Sequence, residues 1–170
     1  MLTIRPEEPG DLDAIRSVHA AAFPTDLESR LVDALRASGK ATISLVAEYG
    51  EEIAGHILMS PVTLDPPAPG ARGLGLAPVA VAPAFQSRGI GGDLIRRGLV
   101  LAAKAGYGFV VVLGEPGYYE RFGFRKASSF GIGNDYGVDD PFMALELVPG
   151  ALTGLSGVAS YAPEFGMFGE

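Results

Sequence analysis

The sequence predicts an α+β fold, a mixed α/β sheet flanked by helices, and the order of its elements supports that prediction. Two helical patterns come first, over residues 10–23 and 25–39. Two strand patterns on either side of Gly50 are then close enough in sequence to form an antiparallel hairpin. A strand, a long helix and a short apolar strand follow, which is the order of a parallel βαβ unit.

The first strand and the first two helices have recognisable boundaries. The strand "LTIRP" ends at Pro6, and the first helix has Asp11 as a candidate N-cap. The apolar face of that helix carries Leu12, Ile15, Val18 and Ala22. The second helix begins with Thr25-x-x-Glu28, which matches a capping box, and Gly39 is placed to end it.

The remaining elements follow without a linker or a repeat. The hairpin strands are "TISLVAEY" and "IAGHILMSPVTL", and the proline-rich "DPPAPGARG" after them is a loop. The strand "LGLAPVAVAP" ends at Pro83, and the helix "GGDLIRRGLVLAAKAG" ends at Gly106. "FVVVL" is wholly apolar, which predicts a strand buried on both faces. A short helix in "YYERFGF" ends at Gly123, and two late strands lie in "PFMALELVP" and "GALTGLSGVASYAPEF".

The composition excludes several classes of protein. With 170 residues, 48% apolar and 19% charged, the chain is predicted to form a single domain over 1–170. The absence of cysteine excludes disulfides, thiolate metal sites and a cysteine nucleophile. A net charge of -7 disfavours nucleic acid and anionic membranes as partners. The opening "MLTIRPEEPG" does not resemble a secretory signal, and the most apolar run is too short for a bilayer. We therefore expect a cytoplasmic monomer or homodimer.

The stretch "AFQSRGIGG", residues 84–92, places three glycines just where the long helix begins. Glycine inside a helix costs about 1 kcal/mol relative to alanine, so the cluster needs an explanation. The first N–H groups of a helix have no partner within it and attract anions, and glycines let a phosphate approach the backbone. Arg88 adds a cation. We therefore predict a phosphate site here, the alternative being a glycine-rich turn that binds nothing.

Two common phosphate motifs do not fit this stretch. A P-loop would need G-x-x-x-x-G-K-[ST], and a dinucleotide fingerprint would need glycine where Leu94 stands. The pattern Gln86-x-x-Gly89-x-Gly91 instead resembles the pyrophosphate loop of the GNAT superfamily of acyl-CoA-dependent N-acyltransferases. The preceding "VAVAP" and the later "YYERFGF", with Tyr119, extend this resemblance over most of the chain. "GEPGYYERFGF" and "LELVPGAL" are similar to a bacterial branch of predicted N-acetyltransferases.

The resemblance implies a GNAT-like fold: a central, mostly antiparallel sheet with a splayed parallel strand pair. Pantetheine would lie in the gap and pair with the strand backbone, and the loop N–H groups would hold the pyrophosphate of acetyl-CoA. A backbone amide near Val81 would stabilise the developing oxyanion. No metal is implied. The expected cofactor-binding residues are Val79, Ala80, Val81, Gln86, Arg88, Gly89, Ile90, Gly91 and Gly92. For Val79 and Val81, ordinary packing of the side chains in the core is compatible with this role.

The implied chemistry is attack of a neutral amine on a thioester, which needs a proton acceptor and benefits from a donor to the departing thiolate. Tyr119 is the expected donor, the alternative being a core tyrosine packed beside Tyr118. The candidate bases are ranked Glu28, Glu115 and then His56. Each has a structural alternative: the capping box, a solvated turn residue and a buried, hydrogen-bonded histidine, respectively. His19 is expected at the surface or the edge of the core rather than as a metal ligand.

Three functional hypotheses remain at the level of sequence. The first is an N-acetyltransferase that uses acetyl-CoA and a primary amine of a small molecule or peptide in a ternary complex. The second is a non-catalytic domain that binds or senses acyl-CoA. The third, a nucleotide-phosphate enzyme, lacks the lysine, hydroxyl and acid set of that chemistry. Asp135, Asp139 and Asp140 are interpreted as an exposed acidic loop, and the acceptor is not identified.

Overall fold

The structure is a computed structural model that describes residues 1–168. The strands of this part of the chain are β1 (Leu2–Pro6), β2 (Ile43–Tyr49), β3 (Glu52–Pro61), β4 (Thr63–Asp65), β5 (Gly73–Val81), β6 (Phe109–Leu113), β7 (Arg125–Lys126), β8 (Ile132–Gly133), β9 (Phe142–Glu146) and β10 (Gly157–Ser160). The α-helices are α1 (Leu12–Ala22), α2 (Leu27–Ala37), α3 (Ile90–Lys104) and α4 (Pro116–Tyr119). Short 3₁₀ helices cover Pro9–Asp11, Pro83–Phe85, Glu120–Phe122, Ala127–Phe130 and Pro163–Phe168.

A seven-stranded sheet in the order β1-β2-β3-β5-β6-β9-β7 forms the centre of the fold. The pairs β1–β2, β2–β3, β6–β9 and β7–β9 are antiparallel, and β5–β6 is parallel. The predicted mixed, mostly antiparallel sheet is therefore confirmed. A smaller sheet, β4-β10-β8, was not predicted, because β8 has two residues and its pattern is too short to recognise.

The chain divides into two compact units. The first contains residues 1–60, 77–98 and the C-terminal residues from 163, and the second contains residues 61–76 and 99–162. Both β5 and α3 run from one unit into the other. The single domain predicted over 1–170 stays a prediction, and its last two residues lie outside the described ones.

In the first unit, α1 and α2 form a helical hairpin beside an antiparallel sheet. Their buried faces consist of Ile15, Val18, His19, Leu31, Val32 and Leu35. Arg16 of α1 is ion-paired with Asp33 of α2 at 3.1 Å. Gly39, with φ of +76°, ends the second helix as predicted, since the left-handed conformation favours glycine.

In the second unit, β6 is buried along its first four residues, Phe109 to Val112, as its apolar composition predicted. Its ladder with β5 joins only Gly73–Gly75 to Phe109–Val111, although β5 has nine residues. Among the described residues, the pairing of β6 with β5 is thus confined to the start of β5, which agrees with the predicted splayed pair. A side chain at Gly73 would overlap the Phe109 ring, so this close pairing requires glycine.

None of the helices in the described residues combines the length and the apolar character that crossing a bilayer requires. The cytoplasmic location expected from the sequence stays a prediction.

Candidate functional site

The connection between β5 and α3 is the most unusual backbone segment of the first unit. β5 ends at Val81, a 3₁₀ turn covers Pro83–Phe85, and α3 begins at Ile90. Ser87 has φ of +64° and Gly89 has φ of +80°, so two residues of the loop are left-handed. For a serine this conformation costs on the order of 1 kcal/mol, and such strain is concentrated at functional sites.

The N–H groups of residues 87–92 make no hydrogen bond within the described part of the chain. The next amide, that of Asp93, donates to the Gly89 carbonyl at 3.0 Å and starts the regular helical pattern. Six successive donors therefore lie at the N-terminal, positive end of a 15-residue helix. This arrangement has the chemistry of an anion-binding site.

Gln86 and Arg88 flank the strained serine and contact different partners. The Gln86 Nε2 donates to the Val81 carbonyl at 3.0 Å, which ties the loop back to the end of β5. The Arg88 guanidinium carbon lies 5.6 Å from the ring centres of both Tyr49 and Phe85. Arg88 is exposed and makes no ion pair with a described carboxylate, so its charge is not neutralised locally.

The end of β5 has the alternating burial of a strand with one covered face. Ala80 is buried, whereas Val79 and Val81 are half-buried. Both sequence interpretations of the valines remain compatible, because the packing involves side chains and the proposed donor contacts involve backbone.

The structure excludes the capping-box role that the sequence suggested as the alternative for Glu28. The predicted capping box is wrong: the N-cap of α2 is Asp26, and the Thr25 hydroxyl accepts a hydrogen bond from Leu27 N at 3.3 Å. The helix begins one residue too late for Thr25 to be its N-cap. Glu28 is half-buried, and its Oε1 is buried without a partner among the described residues. A carboxylate oxygen in this state is available to a ligand.

Asp11 likewise differs from its predicted role. It occupies the N-cap position of α1, but its carboxylate does not cap that helix. The two oxygens accept from the Arg5 guanidinium at 2.8 and 3.0 Å, and one also accepts from Glu8 N at 2.7 Å. Asp11 therefore closes the preceding 3₁₀ turn and anchors β1.

A chain of polar groups, half-buried at Arg36, Glu7 and Ser44 and fully buried at the two histidines, joins α1, α2 and the sheet. Arg36 donates to both oxygens of Glu7, at 2.8 and 2.9 Å, and Ser44 Oγ also donates to that carboxylate. Ser44 Oγ then accepts from His56 Nε2 at 2.8 Å, which leaves His56 Nδ1 to accept from His19 Nε2 at 2.9 Å. Both imidazoles therefore carry their proton on Nε2. The last atom, His19 Nδ1, is buried without a described partner.

Both histidines of this chain are fully buried. The alternative interpretation of His56, a buried and hydrogen-bonded residue, is confirmed, whereas the surface or core-edge position expected for His19 is wrong. Burial, the neighbouring His56 and Arg36 lower the pKa of His19 to about 3, and burial lowers that of His56. Burial acts to raise the pKa of Glu7, but hydrogen bonds from His56, Arg36 and Ser44 outweigh it and lower that pKa. At neutral pH the histidines are neutral and Glu7 is ionised.

Tyr119 belongs to an aromatic cluster of the second unit. Its ring makes edge contacts with Tyr118 and Phe124, at centroid distances of 5.1 and 5.7 Å. A side chain at Gly114 would overlap the Tyr119 ring, so that glycine allows it to pack there. Burial and then Tyr118 raise the pKa of Tyr119 to about 12, which keeps the phenol protonated at neutral pH. Its hydroxyl makes no hydrogen bond to a described residue.

The other acidic candidates have ordinary structural roles. Glu115 is exposed and caps α4 by accepting from Gly117 N at 2.8 Å. Asp139 and Asp140 are ion-paired with Lys126 at 3.5 and 3.0 Å. Across the described residues, no group of three or more His, Cys, Asp or Glu side chains could hold a metal ion.

Comparison with known proteins gives consistent matches over the whole fold. The family profile "Acetyltransferase (GNAT) domain" matches residues 3–127. The chain is 33% identical over 169 residues to the uncharacterized N-acetyltransferase YhbS of Escherichia coli strain K12, covering 98% of this chain and 100% of that protein. It is 37% identical over 120 residues to the uncharacterized N-acetyltransferase YjhQ of the same strain, covering 69% of this chain and 66% of the relative.

Two crystal structures have closely similar folds. The E. coli GNAT family N-acetyltransferase YhbS in complex with CoA has a TM-score of 0.93 at 32% identity, covering 99% of this chain and 93% of that one. A GNAT family acetyltransferase from Brucella melitensis in complex with acetyl-CoA has a TM-score of 0.80 at 38% identity, covering 97% and 98%.

The buried histidines predict acid sensitivity of the fold. Below pH 6.5 the unfolded chain takes up protons on its histidines and the folded chain does not. The free energy of unfolding is therefore at its full value above that pH and decreases as the pH is lowered below it. Given its folded pKa of about 3, His19 alone should lower the free energy of unfolding by about 2 kcal/mol between pH 7 and pH 5. Urea unfolding at both pH values measures this loss.

His19→Phe should reduce that pH-dependent difference in the free energy of unfolding by the contribution of His19, about 2 kcal/mol. The variant should also be less stable than the wild type at pH 7, because His56 Nδ1 loses its hydrogen-bond donor. Lys104→Gln, at an exposed position, is the control and should leave the pH dependence unchanged. Equal wild-type stabilities at pH 7 and pH 5 would show that the folded protein protonates its histidines as readily as the unfolded chain.

Proposed function

This chain belongs to the GNAT superfamily of acetyltransferases, and we propose that it transfers an acetyl group from acetyl-CoA to a primary amine of a small molecule or peptide. The observation that carries this proposal is the row of N–H groups at residues 87–92 that bond to no described residue. Crystallised relatives that share this fold hold CoA or acetyl-CoA. A pyrophosphate supplies the anionic oxygens that such a row of donors binds.

The donor half of the site consists mainly of backbone. The N–H groups of residues 87–92 and the Arg88 guanidinium hold the pyrophosphate, and backbone groups of residues 79–81 pair with the pantetheine amides. An amide near Val81 polarises the thioester carbonyl and stabilises the oxyanion that forms on attack. The Val81 carbonyl already accepts from Gln86, which supports a role for Gln86 in shaping the loop rather than in contacting the donor.

The reaction joins the amine nitrogen to the acetyl carbonyl carbon and breaks the carbon–sulfur bond. The electron pair of that bond leaves on the CoA sulfur, which takes up a proton, and the nitrogen loses one. Because an alkyl amine with a pKa of about 10.4 is protonated at neutral pH, a base must first make it neutral. Direct attack in a ternary complex needs no covalent enzyme intermediate, in keeping with the absence of cysteine.

Glu28 is the proposed base, acting directly or through water. Its half-buried carboxylate has one buried oxygen without a partner, and the capping box that would have explained it is not formed. Glu115 is engaged in capping α4, and His56 is fully buried and bonded to Ser44 and His19. The ranking of the three candidates therefore keeps Glu28 first.

Tyr119 is the proposed donor to the departing thiolate. With its pKa raised to about 12, the phenol carries its proton throughout the neutral range. Its hydroxyl makes no hydrogen bond to a described residue, so the proton is available to a ligand. The role itself is carried over from the resemblance of "YYERFGF" to the family motif.

Acetyl-CoA binding is the first test. In calorimetry the wild-type protein should bind acetyl-CoA and not ATP, and Gly91→Glu should weaken binding at least about 100-fold, because it puts a carboxylate where the pyrophosphate is expected. Gly10→Glu is the matched control: it adds the same charge at an open position with no neighbour within 4 Å of an added Cβ. A folded wild-type protein that does not bind acetyl-CoA would overturn the proposal.

Tyr119→Phe distinguishes an enzyme from an acyl-CoA sensor. It should lower kcat about 10- to 100-fold in an amine-dependent CoA-release assay, while the Kd for acetyl-CoA stays within about twofold. Tyr118→Phe, which removes the neighbouring hydroxyl, should have little effect. A wild-type protein that binds acetyl-CoA but releases no CoA across a broad amine screen would instead be a non-catalytic binding domain.

Glu28→Gln tests the base. It should lower kcat/KM for the amine about 100-fold at neutral pH, with the loss shrinking as the pH rises and the free amine becomes abundant. Asp26→Asn removes a comparable charge from the same helix end, where its side chain is 72% exposed, and should be nearly neutral. Equal pH profiles for Glu28→Gln and the wild type would exclude Glu28 as the base.

A further inference from the structure

Two aromatic side chains pack against Arg88 of the loop, and the proposed reaction gives neither of these rings a role. The rings of Tyr49 and Phe85 have centroids 5.5 Å apart and are inclined at 49°. The Arg88 guanidinium carbon lies 5.6 Å from each centroid, within the range of a cation–π contact. We call these three residues the Tyr49 cluster. Tyr49 is 37% exposed.

Tyr49 is held firmly by its backbone. It is the last residue of β2, paired with Leu2 of β1 on one side and with Glu52 of β3 on the other. The following Gly50 is left-handed, with φ of +66°, and its N–H donates to the Met1 carbonyl at 3.2 Å. The ring therefore projects from a rigid part of the sheet.

Arg88, by contrast, lies in a segment with little support of its own. The N–H groups around it are unbonded, and Ser87 just before it is left-handed. Two tethers bracket that strained residue. Gln86 is tied to the Val81 carbonyl, and Arg88 is held by the two rings. Without the second tether, an exposed arginine with no carboxylate partner would sample many rotamers, and Ser87 could relax.

We propose that Tyr49 is a positioning residue for acyl-CoA. Together with Phe85 it holds Arg88 in place, and Arg88 in turn maintains the left-handed turn at Ser87. This conformation presents the N–H groups of residues 87–92 to the pyrophosphate. The inference rests on the proposed function. It assigns a role in donor binding to a residue of the β2–β3 hairpin that lies 39 positions before Arg88 in the sequence. The affinity for acyl-CoA increases because the loop is already ordered before the ligand binds.

The chemistry of the contact distinguishes the ring from the rest of the side chain. The Tyr49 hydroxyl makes no hydrogen bond to a described residue, so only the aromatic face is needed. Tyr49→Phe keeps that face, whereas Tyr49→Leu keeps apolar bulk and removes it. The pair of variants therefore separates a cation–π role from packing.

The experiment measures the Kd for acetyl-CoA by calorimetry, with CoA-release kinetics alongside. Tyr49→Phe should bind like the wild type, and Tyr49→Leu should bind about twofold to fivefold more weakly, the range of an exposed cation–π contact. KM for acetyl-CoA should rise in proportion while kcat stays unchanged. In an Arg88→Met background, Tyr49→Leu should have no further effect, because the partner that transmits its influence is gone.

Phe85→Leu is the second variant, with the same expected loss and the same dependence on Arg88, and it keeps the test valid if Tyr49→Leu does not fold. If a folded leucine variant binds acetyl-CoA with the same Kd as the wild type, this inference is overturned and the proposed function is not. An equal loss with and without Arg88 has the same consequence, since that loss would arise from packing. No acetyl-CoA binding by folded wild-type protein would overturn the proposed function and this inference with it.

Discussion

Six backbone N–H groups, at residues 87–92, have no acceptor among the described residues, and the surrounding chain must accommodate them. Unbonded donors must remain solvated until a ligand replaces the water, and Ser87, Arg88 and Gly89 are exposed accordingly. Gly91 and Gly92 are half-buried, and the buried side chain of Ile90 anchors the start of α3. The backbone is left-handed at Ser87 and Gly89, between the 3₁₀ turn that follows β5 and the first residue of α3. The loop is therefore a strained segment held between a strand end and a helix start.

The chain of polar groups from Arg36 to His19 is subject to a different constraint, the free-energy cost of burying polar side chains. Two imidazoles and a carboxylate inside the first unit would be unfavourable unless each proton had a defined acceptor. The ionised Glu7 provides that order, because it accepts from Arg36 and Ser44 and so directs the protons of His56 and His19 toward itself. The polar groups thereby fix α1 and α2 in one register against the sheet, which apolar packing alone specifies less strictly.

The sequence was informative where structure is determined locally. Gly39, Gly106 and Gly123 each end a helical segment in the left-handed conformation, as their positions predicted. The apolar run of β6 and the boundaries of the loop were predictable for the same reason. The Thr25–Glu28 capping box failed because a shift of one residue in a helix start destroys that motif, and sequence patterns do not resolve such shifts.

Long-range pairs of side chains were not predictable. His19 and His56 are 37 positions apart, and neither shows in its own neighbourhood that the other completes its hydrogen bonding. Tyr49 and Arg88 are in the same situation: an aromatic residue before a turn is ordinary until the fold places an arginine beside it. For the candidate site, the sequence could therefore identify the loop but not the residues that support it from other strands.

No carboxylate of residues 1–168 is ion-paired with Arg88, and this has a consequence for how a polyanion would meet this protein. The whole chain carries a net charge of -7, so its field at long range repels anions. At physiological ionic strength that field is screened beyond about 8 Å. Inside this distance the helix dipole, the loop N–H groups and the Arg88 guanidinium each attract an anion. A negatively charged ligand is thus not attracted at long range and binds only after it reaches the N-terminal end of α3. The acidic remainder of the surface disfavours its binding elsewhere.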